Sequence, residues 1–568
     1  MNPIAEAAIA KARELGAQGQ LLAAESTLRE ALTAADASPE LHYELAQVLA
    51  GQGGDAQVVM PALREALARD PGFAPAVHAL GYGLLEAGEA EEALAVAGPL
   101  AEASPPDAGA LSIVGQALTA LGRTEEGLDA LGAAAAARGG DLIHQHIFAA
   151  ALQQAGLNPE ATRAARSARA LGFDAPETWL VEGQSLLGQD RLDEAETAFR
   201  EALRRRPDYA AAHRELGQLV WARTGDVAEA TREVEKAIAG HPQASGLRVV
   251  RAKTLEYAGD APGAYDVLRQ AIEARGPSLD IELAASQAAI GFDPSAALEH
   301  ALNAERMAPN DQLTISVLAE AYLAAGRPQD ALKAAERLKA LAPTNQHALA
   351  LEATAWRLLG DPRYAERSDY AGLVRTFRLE TPEGWSSLED YLAALTAGLD
   401  RLHVMKAHPI GQSLRGGAQT NQNLQRSINP AIRAFFRAIH EPISQTIDEM
   451  GPGEDPLRSR NTGRYKVSGA WSVNLQPGGR HVDHLHPAGW LSSAFYVDVP
   501  RAVEGEGREG WLRFGQPGIP TQPGLEAEHW IKPQAGTLVL FPSYMWHGTV
   551  PFGGEHRRMT MAFDVVPS

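Results

Sequence analysis

Proline recurs at a nearly constant interval over more than half of this chain of 568 residues. The separation between successive prolines is 32 to 35 residues, and the one longer gap is three times 34. The prolines in this series are Pro39, Pro71, Pro105, Pro207, Pro242, Pro277, Pro309 and Pro343. Between them, apolar residues follow helical spacing and turn residues interrupt at short intervals. A period of this length predicts a solenoid of helix pairs.

The segments between the prolines resemble tetratricopeptide repeats. Two of the clearest copies are Ala211-Ala-His-Arg-Glu-Leu-Gly-Gln-Leu-Val-Trp221 and Leu318-Ala-Glu-Ala-Tyr-Leu-Ala-Ala-Gly-Arg-Pro-Gln-Asp-Ala-Leu332. Small residues stand where paired helices must approach closely, and a glycine opens the turn before the second helix. The resemblance implies a concave groove that holds a peptide or a partner protein. A surface for dimerisation, giving a homodimer, is the alternative use of the repeats.

The repeat rhythm stops between Asp361 and Glu383, where prolines suggest a connector. We therefore expect helical repeats over residues 1–360, a connector over 361–380 and a second domain over 381–568. A division is also expected from length alone, because 568 residues exceed what one hydrophobic core usually supports.

Composition excludes several classes of partner and site. The formal net charge of -20 argues against a nucleic-acid or anionic-membrane surface, either of which needs a basic face. The chain has no cysteine, so any metal must be held by nitrogen and oxygen ligands. We find no apolar run of about 18 residues and no signal-peptide order at the N-terminus, so we expect no membrane span and a cytoplasmic location.

The last hundred residues have the character of strands. Alternating or β-rich runs occur at Tyr465–Leu475, Leu491–Val499, Thr537–Phe541 and Met559–Val566. Few of them are joined by two-residue turns, which favours a jelly roll, the double-stranded β-helix, over a meander. Helices before these strands, the first beginning after Ser387, would flank it.

Potential metal ligands are concentrated in this part of the chain. His481, Asp483, His484 and His486 fall within six residues, and His547 follows about sixty residues later. Two ligands at i and i+2 on a strand point the same way, and a distant histidine can complete a triad. Such a set leaves open metal positions, which non-haem Fe(II) oxygenases need for 2-oxoglutarate and O2. The pairs His481/Asp483 and His484/His486 have opposite parity on a strand, so only one can face the metal unless the strand is bulged.

These strings resemble the 2-oxoglutarate/Fe(II)-dependent oxygenases, in particular a bacterial and phage-type group often fused to tetratricopeptide repeats. The resemblance covers about residues 380 to 567. It is carried by Gln412-Ser-Leu-Arg-Gly-Gly-x-Gln-Thr420, His484-x-His486-Pro-x-Gly-Trp490, Ser492-Ser-Ala-Phe-Tyr-Val497, Leu540-Phe-Pro-Ser-Tyr-x-Trp-His547 and Arg558-x-Thr560-x-Ala-Phe-Asp564.

The resemblance implies Fe(II), 2-oxoglutarate and O2 as cofactor and cosubstrates, with no catalytic side chain beyond the metal site. It implies iron ligands at His484, His486 and His547. The wider superfamily has His-x-Asp as the first pair, so His481 and Asp483 remain the alternative. A basic residue after the distal histidine is expected to hold the far carboxylate of 2-oxoglutarate.

Seven further residues receive roles from the resemblance or from their position. The expected cosubstrate contacts are Arg558, Thr560, Tyr496 and Asn474, and the candidate substrate contacts are Trp490, Arg415 and Gln419. The resulting hypothesis is a dioxygenase that hydroxylates a side chain of a protein or peptide recruited by the repeats. Two alternatives remain, a repeat scaffold with a sensing or inactive oxygenase domain, and a small-molecule oxygenase that oligomerises through its repeats.

Overall fold

The computed structural model describes residues 3–34, 38–137 and 142–568. The chain divides into two compact units, Met1–Leu186 and Leu187–Ser568. No helix in the described ranges is both long and apolar enough to cross a bilayer.

The first unit is helical. Consecutive helices pack against each other through alanine and leucine side chains, many of them fully buried. The turn between two paired helices contains Gly88 at φ +81°, a conformation that side chains with a Cβ rarely adopt. The helices are α1 Pro3–Ala17, α2 Leu21–Ala34, α3 Pro39–Gly51, α4 Ala56–Arg69, α5 Ala74–Glu86, α6 Ala90–Ala101, α7 Ala108–Ala120, α8 Thr124–Ala136, α9 Leu142–Gln154, α10 Asn158–Ala170 and α11 Pro176–Leu187.

The second unit begins with further helices of the same kind. They are α12 Leu192–Arg205, α13 Ala210–Thr224, α14 Val227–Gly240, α15 Ser245–Tyr257, α16 Ala261–Arg275, α17 Leu279–Ala289, α18 Pro294–Met307, α19 Gln312–Ala324, α20 Pro328–Leu341 and α21 Gln346–Leu359. Short helices follow at α22 Arg363–Arg367 and α23 Tyr370–Leu373, and longer ones at α24 Leu388–Asp400, α25 Pro430–Ala438 and α26 His440–Met450.

The periodic prolines have a common structural position. Six of them lie two residues beyond the end of the second helix of a pair: Pro71, Pro207, Pro242, Pro277, Pro309 and Pro343. Proline disfavours the continuation of a helix, because its ring fixes φ and it has no backbone N–H, so at these positions it favours a common end point for each pair. The prediction of a helical repeat solenoid is confirmed.

The strands all belong to the second unit. They are β1 Arg375–Arg378, β2 Leu414–Gln419, β3 Tyr465–His481, β4 Leu491–Asp498, β5 Leu512–Phe514, β6 His529–Ile531, β7 Thr537–Pro542, β8 His547–Thr549 and β9 Arg558–Pro567. Among the described residues, six form an antiparallel sheet in the order β1-β7-β4-β9-β3-β2, and three form a second in the order β6-β5-β8. These non-sequential neighbours agree with the predicted jelly roll rather than a meander.

The core of this region lies under the large sheet. Phe435 of α25 contacts the rings of Phe495 in β4 and Phe563 in β9, and all three are fully buried. These contacts hold α25 against the face opposite the cavity-lining residues of β9, because neighbouring residues of a strand point to opposite faces.

The segment 361–380, predicted as a connector, contains α22, α23 and β1. Strand β1 pairs with β7, so this segment supplies the edge of the large sheet. The compact units divide near residue 186, and the limits 1–360, 361–380 and 381–568 stay a prediction about separate domains.

Candidate functional site

A cavity of about 550 Å³ opens beside the ends of several strands of the second unit. Its walls come from β2, β3, β4, β7, β8 and β9, from the loop between β3 and β4, and from Tyr257 at the end of α15. Most of the predicted site residues line this cavity, namely His481, His484, His486, His547, Arg558, Thr560, Tyr496, Arg415 and Gln419.

Three histidines converge at its wall. One ring nitrogen from each of His484, His486 and His547 lies within 4.8 Å of the other two. Ring centroids are 4.2 Å apart for His484 and His547, and 5.2 Å for His486 and His547. Three imidazoles at this spacing can share one first-row metal ion while leaving positions for other ligands.

The first histidine pair does not stand on a regular strand. Strand β3 ends at His481, and the chain then leaves the sheet. His484 is held instead by a single antiparallel bridge to His547, with both backbone N to O distances at 2.9 Å. The strand-parity argument therefore does not apply to these residues, because pairing with β8 decides where His484 lies.

Hydrogen bonds select the ring nitrogen that each histidine offers. Nδ1 of His547 lies 2.9 Å from the carbonyl of Met545, and Nδ1 of His484 lies 2.8 Å from the carbonyl of Val482. A carbonyl oxygen only accepts, so Nδ1 carries the proton in both rings. Each Nε2 is left with an unprotonated lone pair, which is the form that binds metals, and that of His484 faces the hydroxyl of Ser413 at 3.1 Å.

The third histidine is oriented by a carboxylate. Nδ1 of His486 lies 2.7 and 2.8 Å from the two carboxylate oxygens of Asp564, which also accepts a hydrogen bond of 2.7 Å from Ser492. This carboxylate–histidine arrangement directs Nε2 of His486 away from Asp564.

Burial keeps two of the three histidines, His484 and His547, uncharged. It lowers the pKa of His484 to about 3, with a further lowering from the neighbouring His486. Burial also holds the pKa of His547 well below its usual range. Neutral imidazoles at physiological pH are ready to bind a cation without first releasing protons.

The alternative pair takes other partners. Nδ1 of His481 lies 2.9 Å from the hydroxyl of Ser413, while still facing the cavity. Asp483 does not line the cavity, and Arg513 donates to both of its carboxylate oxygens, at 2.9 and 2.5 Å. The structure thus brings His484 and His486 to His547 and leaves Asp483 apart, and the ligand assignment itself stays a prediction.

Arg558 is a buried cation without an anionic partner. Its side chain is 2% exposed, and Nη1 donates to the carbonyl of Gly510 at 2.8 Å. Within the described part of the chain no carboxylate forms an ion pair with it, and its Nε and the hydroxyl of Tyr496 have no hydrogen-bond partner. Burial lowers the pKa of Arg558 and raises the pKa of Tyr496 to about 12.

These orphaned donors fit a carboxylate ligand. A buried donor left without a partner costs about 1–3 kcal/mol, and a carboxylate between Arg558 and Tyr496 would remove that cost. Thr560 is paired with Tyr496 in the sheet register and also lines the cavity. The donor set is the one expected for the far carboxylate of 2-oxoglutarate.

Two predicted site residues lie elsewhere. Trp490 is fully buried in the core and donates its indole N–H to the carbonyl of Leu457 at 2.8 Å, so it is not at the cavity. Asn474 is buried on β3, where its Oδ1 accepts from Gln476 at 3.3 Å, and it does not line the cavity. Trp471 does line it, and its ring stacks on His486 with centroids 5.7 Å apart.

Sequence reasoning missed three residues at the cavity. Asp564 shares a face of β9 with Arg558 and Thr560, so the two-residue period of a strand would have indicated it. Ser413, whose hydroxyl lies 3.1 Å from Nε2 of His484, stands inside a string already recognised. Tyr257 comes from a repeat helix, and no local pattern in the sequence marks it.

Solved structures similar to this chain are repeat proteins. Yeast Tom70 is 13% identical, with 65% of this chain and 97% of that chain covered, at a TM-score of 0.32. A tetratricopeptide repeat protein from Parabacteroides merdae is 16% identical, with 49% of this chain and 97% of that chain covered, at a TM-score of 0.33. A human IFIT1 dimer with m7Gppp-AAAA is 16% identical, with 58% of this chain and 80% of that chain covered, at a TM-score of 0.37. No curated protein sequence matches the chain.

Two family models match separate parts of the chain. The model described as "Putative 2OG-Fe(II) oxygenase" matches residues 469–564, which include the three converging histidines and Arg558. The model described as "Tetratricopeptide repeat" matches residues 180–246, which include α12 and α13.

Proposed function

We propose that this chain, which joins tetratricopeptide repeats to a 2OG-Fe(II) oxygenase domain, hydroxylates a side chain of a protein or peptide. The observation that carries the proposal is one cavity that contains both three converging histidines and a buried arginine without an anionic partner. A metal site alone would not need that arginine, and a carboxylate pocket alone would not need the histidines.

In this proposal His484, His486 and His547 hold Fe(II), and Asp564 orients His486. Arg558, Tyr496 and Thr560 bind the far carboxylate of 2-oxoglutarate. When bound, the two groups supply the oxidising chemistry, since 2-oxoglutarate loses CO2 and becomes succinate as O2 is consumed. Trp471, whose ring stacks on His486, would cover one side of the metal site.

The repeats support a macromolecular substrate. Tyr257 of α15 lines the same cavity as the histidines, so a substrate entering it contacts a repeat helix. A free small molecule would not require this length of helical repeat beside the site. The domain limits, the cytoplasmic location and a homodimer stay predictions.

The proposed chemistry is tested by anaerobic loading with Fe(II), followed by measurement of succinate when O2 is admitted. We expect turnover by the native chain, and its loss with His547→Ala and His486→Ala. Asp483→Ala should retain turnover, because Arg513 already occupies that carboxylate. His556→Ala, an exposed histidine nearby, is the matched control.

The result separates the competing functions. Turnover lost with Asp483→Ala but kept with His486→Ala would restore the pair His481 and Asp483. Succinate formation that rises only when peptides or cell proteins are added supports the macromolecular substrate. Neither iron binding nor succinate under any of these conditions would favour a repeat scaffold with an inactive domain.

A further inference from the structure

The charged side chains of the cavity are unbalanced. Of the described residues that line it, those with charged side chains are Arg415, Arg558 and Asp564. The one carboxylate is already engaged by His486 and Ser492, at 2.7 to 2.8 Å. Two arginines therefore face the cavity in a chain whose formal net charge is -20. A cosubstrate carboxylate at Arg558 leaves the positive charge of Arg415 unmatched.

Arg415 presents one edge of its guanidinium without a partner. Its Nη1 donates to the carbonyls of Gln412 and Leu414, at 2.7 and 2.8 Å. Its Nε and Nη2 form no hydrogen bond with any described residue, and no carboxylate there lies within ion-pair distance. The carboxylate of Glu256 acts on the pKa of Arg415, in the raising direction, but forms its hydrogen bond with Lys253 at 2.8 Å.

A tyrosine with a free hydroxyl stands beside this arginine. The guanidinium carbon of Arg415 lies 5.0 Å from the ring centroid of Tyr257, within the range of a cation–π contact. The Tyr257 hydroxyl bonds to no described residue and lines the same cavity. The pair Arg415/Tyr257 thus repeats the donor set of Arg558/Tyr496 at a second place in the cavity.

The arginines of the two pairs lie on different strands. Arg558 is on β9 and Arg415 on β2, and β3 lies between them in the sheet. Two inter-strand steps separate strand axes by about 10 Å, which favours two anions rather than one shared carboxylate. The register of β2 against β3 shifts between Arg415 and Gly417, at this edge of the sheet.

We propose that Arg415 and Tyr257 form a second anion subsite that binds a carboxylate of the primary substrate, so that the enzyme selects an acidic group close to the atom it oxidises. The free Nε–Nη2 edge donates two parallel N–H groups, which match the two oxygens of a carboxylate. The carboxylate comes from an Asp or Glu side chain or from a peptide C-terminus. This inference rests on the proposed function for its meaning, but the subsite can be measured without turnover.

The test uses the full chain loaded with Zn(II) and N-oxalylglycine, an unreactive analogue of 2-oxoglutarate. Ligand-observed NMR then gives the dissociation constants of small probes. N-acetyl-aspartate and N-acetyl-glutamate N-methylamides represent side-chain carboxylates, and N-acetylglycine represents a C-terminus. The corresponding asparagine and glutamine derivatives and N-acetylglycinamide are the matched neutral probes.

We expect the preferred carboxylate probe to bind about tenfold more tightly than its neutral counterpart, and Arg415→Gln to abolish that preference. Arg415→Lys, which keeps the charge but loses the two-pronged edge, and Tyr257→Phe should each reduce it. The control Arg480→Gln removes the exposed arginine paired with Arg415 in the sheet register and should keep the preference. Whichever carboxylate probe binds more tightly identifies the source of the anion.

Equal binding of acidic and neutral probes by the native chain, or no binding of either, overturns the proposal. The proposal is also overturned if Arg415→Gln keeps the preference for the carboxylate probe, or if this substitution weakens the binding of N-oxalylglycine alone. If Arg415→Gln does not fold, as judged by its thermal midpoint, Tyr257→Phe and Arg415→Lys decide the matter. If the chain prefers the carboxylate probes but binds neither Zn(II) nor N-oxalylglycine, the anion subsite is retained and the proposed function is rejected.

Discussion

The imidazole of His486 is hydrogen-bonded to the carboxylate of Asp564 in the wall of the cavity, with Nδ1 2.7 and 2.8 Å from the two oxygens. Such a contact fixes the tautomer and orientation of a metal-binding histidine. It makes Asp564, a residue that touches neither metal nor substrate in the proposal, decisive for the metal site.

We expect Asp564→Asn to weaken metal binding about 10–100-fold. The amide can donate its own N–H to Nδ1, which would place the imidazole proton on Nε2 and remove the lone pair that binds the metal. Zn(II) and Fe(II) affinities measured by competition with a chelator test this. Asp448→Asn, at an exposed carboxylate on α26, should leave them unchanged. An unaltered affinity in Asp564→Asn would remove Asp564 from the site.

Arg558→Met should separate ligand binding from stability. Loss of the guanidinium removes the anchor for the far carboxylate, so 2-oxoglutarate should bind the Zn(II)-loaded chain at least about 100-fold more weakly. The thermal midpoint of the ligand-free chain should not fall, because the native side chain is a buried charge with an unpaired Nε. Calorimetric titration and thermal unfolding measure the two effects.

The neighbouring residue offers a matched control for that experiment. Arg557 is paired with Asp400 at the surface, and exposed ion pairs contribute about 0–1 kcal/mol. Arg557→Met should therefore change neither 2-oxoglutarate affinity nor stability appreciably. A clear loss of stability in Arg558→Met would mean that its guanidinium is structural rather than a ligand anchor.

His403 makes the stability of the second unit depend on pH. Burial lowers the pKa of His403 to about 4, and its Nε2 lies 3.0 Å from the hydroxyl of Ser472. Between pH 6.5 and about 4 the unfolded chain binds a proton at this residue that the folded chain does not. The free energy of unfolding is therefore unaffected by this group above pH 6.5 and falls by up to about 3 kcal/mol as the pH drops to 4.

Urea unfolding at several pH values tests the role of His403. His403→Gln should have a flatter dependence of the unfolding free energy between pH 6.5 and 4 than the native chain. His556→Gln, at an exposed histidine, should follow the native curve. Identical slopes for His403→Gln and the native chain would show that this residue titrates normally.

The features that sequence predicts well here are those determined by neighbours along the chain. Pro207 and Pro242 each end a helix two residues earlier, so their spacing reports the repeat directly. Arg558 and Thr560 lie on one face of β9 because a strand alternates. Both inferences need only a local period and a secondary-structure type.

The features that the sequence left open depend on contacts between distant residues. Parity could not choose between the two ligand pairs, because β3 ends at His481 and the bridge to His547 positions His484. Trp490 lies in the core because the carbonyl of Leu457 accepts its indole N–H, which no nearby motif reveals. Tyr257 reaches the cavity only through packing within the second unit.

The loop before β2 is held by the repeat helices. The indole N–H of Trp221 in α13 donates to the carbonyl of His408 at 2.9 Å, and Nε2 of His408 lies 3.1 Å from the carbonyl of Tyr257 in α15. The backbone N–H groups of Lys406 and Ala407 donate to the carbonyl of Ala222, at 2.8 and 3.0 Å. This loop leads directly to Ser413 and Arg415, so the repeats position one wall of the cavity.

Trp221→Phe should loosen that wall without unfolding the chain, since the phenyl ring keeps much of the apolar packing and removes the indole donor. We expect faster amide hydrogen exchange in residues 404–412, where local opening becomes easier when a tertiary hydrogen bond is lost. Trp530→Phe, on β6, is the matched control and should leave that segment protected. Unchanged exchange in Trp221→Phe would mean that the indole hydrogen bond is not needed, and that the amide bonds to Ala222 and the contact of His408 with Tyr257 hold the loop.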